Sequence, residues 1–170
     1  YVSSGLSSDR IPGTERHLMS LQYSNSDFLG QELVGQVYYR DESLKFYPFP
    51  SVDKNFNLTS FSSSQQDTNQ YGAKLTLNST PLDGWQLTYG LDADHERFTS
   101  NQMYFDKQKA NASGGLNNQQ IYTTGRYPSY DISNLAAFLQ SRYDINEIFT
   151  LSGGVRYQYT ENSIDNFIGY

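Results

Sequence analysis

Six stretches of the chain alternate apolar and polar residues with a period of two, and the connections between them alternate as well, short then long. The clearest stretch is 149–160. There Phe149, Leu151, Gly153, Val155, Tyr157 and Tyr159 share one face, and Thr150, Ser152, Gly154, Arg156, Gln158 and Thr160 share the other. A period of two places successive side chains on opposite faces of a strand, so each stretch predicts a β-strand with one apolar face. The remaining predicted strands lie at 15–23, 31–42, 68–78, 85–96 and 132–143. Short links fall at 24–30, 80–84 and 144–147, and the middle one carries Pro81 and Gly84, the residues a tight turn uses. Long connections fall at 43–67 and 98–131.

These strands are longer than the five or six residues usual in soluble sheets, and suit a bilayer crossed at a tilt by about 9–11 residues. Aromatic residues edge the apolar faces: Tyr23, Trp85, Tyr143 and Phe149 beside the short turns, Tyr39, Tyr157 and Tyr159 toward the long connections. Two aromatic girdles around an apolar band are the pattern of a transmembrane barrel, with short turns on the periplasmic side and long loops outside. The expected fold is therefore all-β: an antiparallel barrel segment of six long strands in three hairpins, with structureless extracellular loops. The chain's ends, 1–14 and 161–170, are expected in extracellular loops too. Six strands fall short of the eight with which such barrels begin, so a slice of a longer barrel is expected.

Composition sharpens this reading. Only 36% of the 170 residues are hydrophobic, yet 15% are aromatic, including fifteen tyrosines, and the mean hydropathy is -0.67. A polar lumen and polar loops reconcile these values, because the only apolar surface then needed is the lipid-facing band. The net charge of -6, with no cluster of Lys and Arg, argues against a nucleic-acid partner. The absence of cysteine excludes a disulfide framework and a thiolate metal site. No apolar run approaches the roughly 20 residues of a spanning helix, and no basic segment leads into an apolar one near Tyr1 as in a signal peptide.

Candidate chemistry is sparse. Asp92, Asp94 and Glu96 share the polar face while His95 lies on the other, so they do not converge as a zinc site requires; a solvated polar wall with no metal is expected, with a weak calcium site as the alternative. No nucleophile and base stand at a usable spacing, so no enzyme, catalytic residue or covalent cofactor is expected. The long connections instead mix aromatic and basic residues: Lys45 and Tyr47 in one, with Phe46 and Phe49 beside them, and Arg97, Tyr104, Lys107, Tyr122, Arg126, Tyr127 and Tyr130 in or beside the other. That mixture suits an anionic chelate, Arg supplying charge-assisted bonds and the rings supplying contact area. Outer-membrane lipid and the phosphates of lipopolysaccharide are the alternative partners for such cations. A passive porin-type channel and a surface adhesin barrel are the alternative functions.

Several motifs resemble one family. Ile11-Pro12-Gly13-Thr14-Glu15-Arg16-His17, Tyr47-Pro48-Phe49-Pro50, the run from Gly84-Trp85-Gln86 through His95-Glu96-Arg97, Thr123-Thr124-Gly125-Arg126-Tyr127-Pro128 and Leu151-Ser152-Gly153-Gly154-Val155-Arg156-Tyr157 look like the TonB-dependent ferric siderophore receptors. The resemblance spans essentially the whole chain. It implies a 22-strand barrel in the outer membrane of a Gram-negative bacterium, filled by an N-terminal plug. The implied ligand is a ferric citrate-hydroxamate siderophore, an Fe3+ chelate, imported with energy from TonB-ExbB-ExbD acting through the plug. The chain is then expected to be about a quarter of such a receptor, 1–170 forming part of the barrel domain, with plug, TonB box and closing C-terminal strands lying outside it.

Overall fold

The computed structural model describes residues 13–167, and the loops expected at 1–12 and 168–170 lie outside them. One antiparallel sheet accounts for almost all of the described chain. Its strands are β1 (Gly13–Phe28), β2 (Gln31–Lys45), β3 (Phe49–Val52), β4 (Leu58–Leu82), β5 (Trp85–Phe105), β6 (Gln120–Gly125), β7 (Tyr130–Asp144) and β8 (Thr150–Ile164), with one short helix, α1 (Lys107–Ala112), between β5 and β6. The spatial order is β1-β2-β4-β5-β7-β8, with β3 beside β4 and β6 beside β5. No helix among the described residues is long and apolar enough to cross a membrane.

All six predicted strands are present, and their register lines up the predicted faces. Leu21, Val37, Ala73, Ala93, Leu135 and Tyr159 stand in one row across the sheet, and Tyr23, Gly35, Leu75, Leu91, Ala137 and Tyr157 in the next. These side chains are bare: Leu21 is 71% exposed and Tyr157 72%. Among the described residues the only buried apolar side chains are Phe61, Ala110 and Ala136. A sheet that exposes its apolar rows and has no apolar interior is built for hydrocarbon on that face. Trp85 pairs with Tyr143 at the short-turn end, the indole N–H donating to Ser141 Oγ at 2.9 Å, and Tyr39, Tyr71 and His95 share a row near the other end. Ten residues of β5 separate these levels, about 33 Å along the strand and about 25 Å along the normal at a barrel's tilt. Tyr159 and Tyr157 sit one and two rows inside the upper level, within the band.

The opposite face is a polar wall. Asp92 receives two bonds from the Arg156 guanidinium, at 2.8 and 2.9 Å, across β7, where Ala136 in the row of Asp92 is too small to intervene. Asp94 accepts from Asn134 at 2.9 Å, and Glu96 faces Arg40 at 3.7 Å. The three carboxylates thus line the polar face, with His95 on the other.

Two expectations are corrected. The connections 43–67 and 98–131 are not structureless, because β4 already begins at Leu58 and β5 continues to Phe105. The sheet therefore has eight strands, not six. β3 and β6 lie along the same edges of β4 and β5 as β2 and β7, each resuming the ladder after a break at 46–48 or 126–129. Likewise the link expected at 24–30 shrinks to Leu29 and Gly30, both at positive φ, 56° and 76°. The cause is common to both: an apolar face is required only where lipid touches the strand, so alternation fades above and below the band while backbone pairing goes on.

Two local devices yield predictions. Gly90 lies where a Cβ would meet the Leu75 carbonyl oxygen at 2.0 Å and the Phe138 ring at 2.9 Å. In the complete receptor Gly90→Ala is expected to cost about 1–3 kcal/mol, seen as a lower urea midpoint, whereas an unchanged midpoint means that the strands part without strain. The turn after β3 is organised by Asp53, whose carboxylate accepts from the Asn55 N–H at 2.8 Å, the Asn57 N–H at 2.9 Å and the Asn57 side chain at 3.0 Å. The bonds from Asn57, then that from Asn55, hold this exposed carboxyl below the usual aspartate range. A depressed folded value makes the turn's added stability full above the ordinary pKa and lost as pH falls through the lower one. Hydrogen-exchange protection of the Asn55 and Asn57 amides, corrected for intrinsic rates, should hold steady above about pH 4 and fall below it. In Asp53→Ala it should be low and independent of pH.

Candidate functional site

The polar face continues beyond the band, because β4 and β5 pair without a register shift from Phe61↔Phe105 to Ser79↔Leu87. Alternation places Ser62, Ser64, Phe98, Ser100, Gln102 and Tyr104 on the same face as Asp92. Tyr104 pairs with Tyr122 of β6, their rings stacked at 4.6 Å and 20°, and Phe98 with Tyr130 of β7, stacked at 5.0 Å and 14°. Stacked cross-strand aromatics add about 0.5–1.5 kcal/mol beyond their buried area, enough to hold these strands in register outside the membrane.

Arg126 sits between the two stacks, in the break separating β6 from β7. Its backbone N–H donates to the Ser100 carbonyl at 3.0 Å. Its guanidinium donates to Ser64 Oγ and lies 5.3 Å from the Tyr127 ring and 5.8 Å from Phe46, distances at which a cation is attracted to an aromatic face. Phe46 belongs to the matching break after β2, where its N–H donates to the Ser64 carbonyl at 2.9 Å. The small side chains beneath make this close approach available: Ser62, Ser63, Ser64 and Ser100 are all buried, and Ser100 Oγ has no partner among the described residues. Beside Arg126 opens a cleft of about 400 Å³ lined by Phe98, Tyr127, Pro128, Tyr130, Ile132, Asn162 and Ile164. The Tyr130 hydroxyl donates to Glu96 at 3.4 Å. A planar cation with one N–H engaged, flanked by aromatic faces and an apolar cleft, can bind an anion that carries apolar arms.

Five of the nine candidate residues therefore share one surface: Tyr104, Tyr122, Arg126, Tyr127 and Tyr130. The other four stand elsewhere. Lys45 and Arg97 lie on the outward face, Lys45 3.6 Å from Glu15 and Arg97 4.0 Å from Asp131. Lys107 opens α1, whose N-cap Asp106 accepts from the Gln108 and Lys109 N–H groups. Tyr47 lines a separate cleft with Phe61 and Ala110. Phe98 and Ser64, which the sequence placed in loops, are strand residues; extending the parity of β5 beyond the apolar band finds Phe98 and puts Arg97 with His95 on the outward face, whereas the uniformly polar run around Ser64 carries no such signal.

On that face His95 bridges two neighbours, Nδ1 lying 2.9 Å from Ser133 Oγ and Nε2 3.4 Å from Asp131. Ser133 is paired on both sides within the sheet, so no free backbone N–H groups converge beside it as an oxyanion site requires. The group ties the upper girdle together, with the His95 ring 5.1 Å from Tyr71.

Residues 3–170 match the family model described as TonB dependent receptor-like, beta-barrel. The chain is 80% identical over its full length to the ferric aerobactin receptor of Klebsiella pneumoniae and 79% identical to that of Escherichia coli, covering 23% of each. It is 42% identical over 166 residues to the rhizobactin receptor of Rhizobium meliloti, covering 98% of this chain and 22% of that protein. Among solved structures, the copper transporter OprC superposes on 89% of this chain and 23% of its own with a TM-score of 0.68 at 19% identity, a likeness of fold alone. The chain thus spans about a quarter of the length of the curated relatives it matches. With the family match covering nearly every residue and the sheet, band and girdles of a membrane barrel, the chain belongs to the TonB dependent receptor-like β-barrel family.

Proposed function

We propose that the chain is one stretch of the barrel of an outer-membrane receptor of a Gram-negative bacterium that takes up a ferric siderophore, ferric aerobactin in the first instance. Its identity of 80% with a receptor so named carries the ligand. The placement of Arg126 among aromatic rings on the lumen-side face supports the reading, since an Fe3+ chelate with carboxylate groups needs a fork of N–H donors and apolar walls. Family membership makes the porin-type and adhesin alternatives the weaker ones. β1 and β8 are open edges of the described sheet, and hydrocarbon does not tolerate unpaired strand edges. Hence 1–170 forms part of a barrel domain whose further strands close it, and a plug and TonB box elsewhere in the receptor couple it to TonB-ExbB-ExbD. The chain's own share is a polar wall for the lumen and part of the ligand surface, with no catalytic step and no covalently held cofactor.

In the complete receptor, Arg126→Ala is expected to weaken equilibrium binding of radiolabelled ferric aerobactin about 10- to 100-fold, the range of a lost hydrogen bond to a charged group. Arg126→Lys should recover only part of it, because an ammonium lacks the planar fork. Arg97→Ala, on the outward face, should leave affinity unchanged. Barrel assembly, read from heat-modifiable mobility, should persist in all three. Wild-type affinity in Arg126→Ala would remove this residue from the ligand surface.

A further inference from the structure

The cleft that holds Tyr47 is separate from the ligand surface, and its chemistry is different. It encloses about 450 Å³ between α1, the turn that follows it and the ribbon of β3 and β4. Its lining residues include Tyr47, Pro48, Pro50, Phe61, Asn111 and Asn118, and no charged residue is among them. Tyr47 is 60% exposed, so its ring is free to take a ligand.

The cleft is built rather than incidental. Ser113 and two glycines end α1: Gly114 and Gly115 adopt φ of 62° and 86°, and the Gly115 N–H donates to the Ala110 carbonyl at 2.7 Å. That turn folds the chain back over Phe61, close enough that a Cβ on Gly115 would stand 3.6 Å from the ring. Ala110 and Phe61 are then sealed beneath, at 2% and 6% exposure.

Its position tells what it meets. Phe61 shares the face of Tyr71, Ala73 and Leu75 by unbroken alternation along β4, so the cleft lies on the side that faces the surrounding membrane. Phe61 stands ten residues beyond Tyr71, about 33 Å farther along the strand and about 25 Å above the girdle at a barrel's tilt. That height is beyond lipid and beyond lipid phosphates, at the level of the sugars of a long glycolipid headgroup.

We infer that this cleft binds the saccharide chain of the outer-leaflet glycolipid packed around the barrel. The inference rests on the proposed outer-membrane placement. A neutral pyranose offers a flat C–H face for an aromatic ring and hydroxyls that both donate and accept, which carboxamides match. An uncharged lining gives no purchase to a phosphate or to an anionic chelate, so the cleft recognises sugar and leaves the ferric ligand to the other face.

The test uses the complete receptor in detergent with lipid-free, dephosphorylated oligosaccharide released from lipopolysaccharide, and inorganic phosphate as the second probe. The oligosaccharide should bind saturably and phosphate should not. Tyr47→Ala and Asn118→Ala should each weaken oligosaccharide binding about tenfold while ferric aerobactin binding stays at the wild-type level. That unchanged binding also certifies that each variant is folded, and if Tyr47→Ala fails it, Asn118→Ala decides alone. No oligosaccharide binding by the wild type, or equal binding by the folded variants, overturns the inference. Failure of the receptor to bind ferric aerobactin at all would instead overturn the proposed ligand and leave the saccharide result standing.

Discussion

Hydrocarbon offers no hydrogen bonds, and that single fact organises the sheet. Every N–H and C=O within the band must be paired by a neighbouring strand, so the ladders from β1 to β8 run through it without interruption apart from the shifts near the short turns. The same solvent accepts apolar side chains without their being buried, which is why Leu21, Leu91 and Val155 stand bare and the described residues have almost no apolar interior. Interior and exterior are exchanged relative to a soluble protein. What would be a core is a wall of paired polar groups, Arg156 on Asp92 and Asn134 on Asp94.

Above the band the constraint lapses, and other interactions hold the strands together. Water could satisfy the backbone there, yet β4 and β5 stay paired far beyond the girdle. Side chains supply the reason: Phe61 against Phe105 and Gln102 on Ser62 tie β4 to β5, the Tyr104–Tyr122 and Phe98–Tyr130 stacks tie β5 to β6 and β7, and Arg126 reaches across to Ser64 of β4. The polar face inside the membrane is thus carried outward as a continuous surface, with Tyr104, Tyr122 and Tyr130 mounted on strands and Arg126 and Tyr127 in the short break between two of them.

The part of the fold legible in the sequence is the part that touches lipid. Between Trp85 and His95 the two faces differ in chemistry, so alternation is visible; at Ser24, Asn25, Ser26 and Asp27, and again from Ser62 to Gln66, both faces are polar and the strand cannot be told from a loop. Ser62, Ser63 and Ser64 look like a linker and are a tightly covered stretch of strand, with Gln102 on Ser62 and Arg126 on Ser64. The candidate site was legible in its residue types and only partly in its arrangement. Continuing the parity of Ala93 and His95 places Arg97 outward, so that residue was separable without coordinates. Tyr47 follows a break in the ladder, where parity ends, and only the folded turn at Gly114 and Gly115 reveals the company it keeps.

The two breaks, at 46–48 and 126–129, lie on opposite flanks of the β4–β5 hairpin, and a single guanidinium reaches from one to the other. Phe46 comes from one, Arg126 and Tyr127 from the other, and Ser64 lies on the strand between. The outer ends of the two hairpins are therefore pinned at one point. With β4 and β5 also laddered out to Phe61 and Phe105, the two flanks are tied by backbone bonds as well as by this pin, so a load placed on one flank of the outer rim is carried to the other.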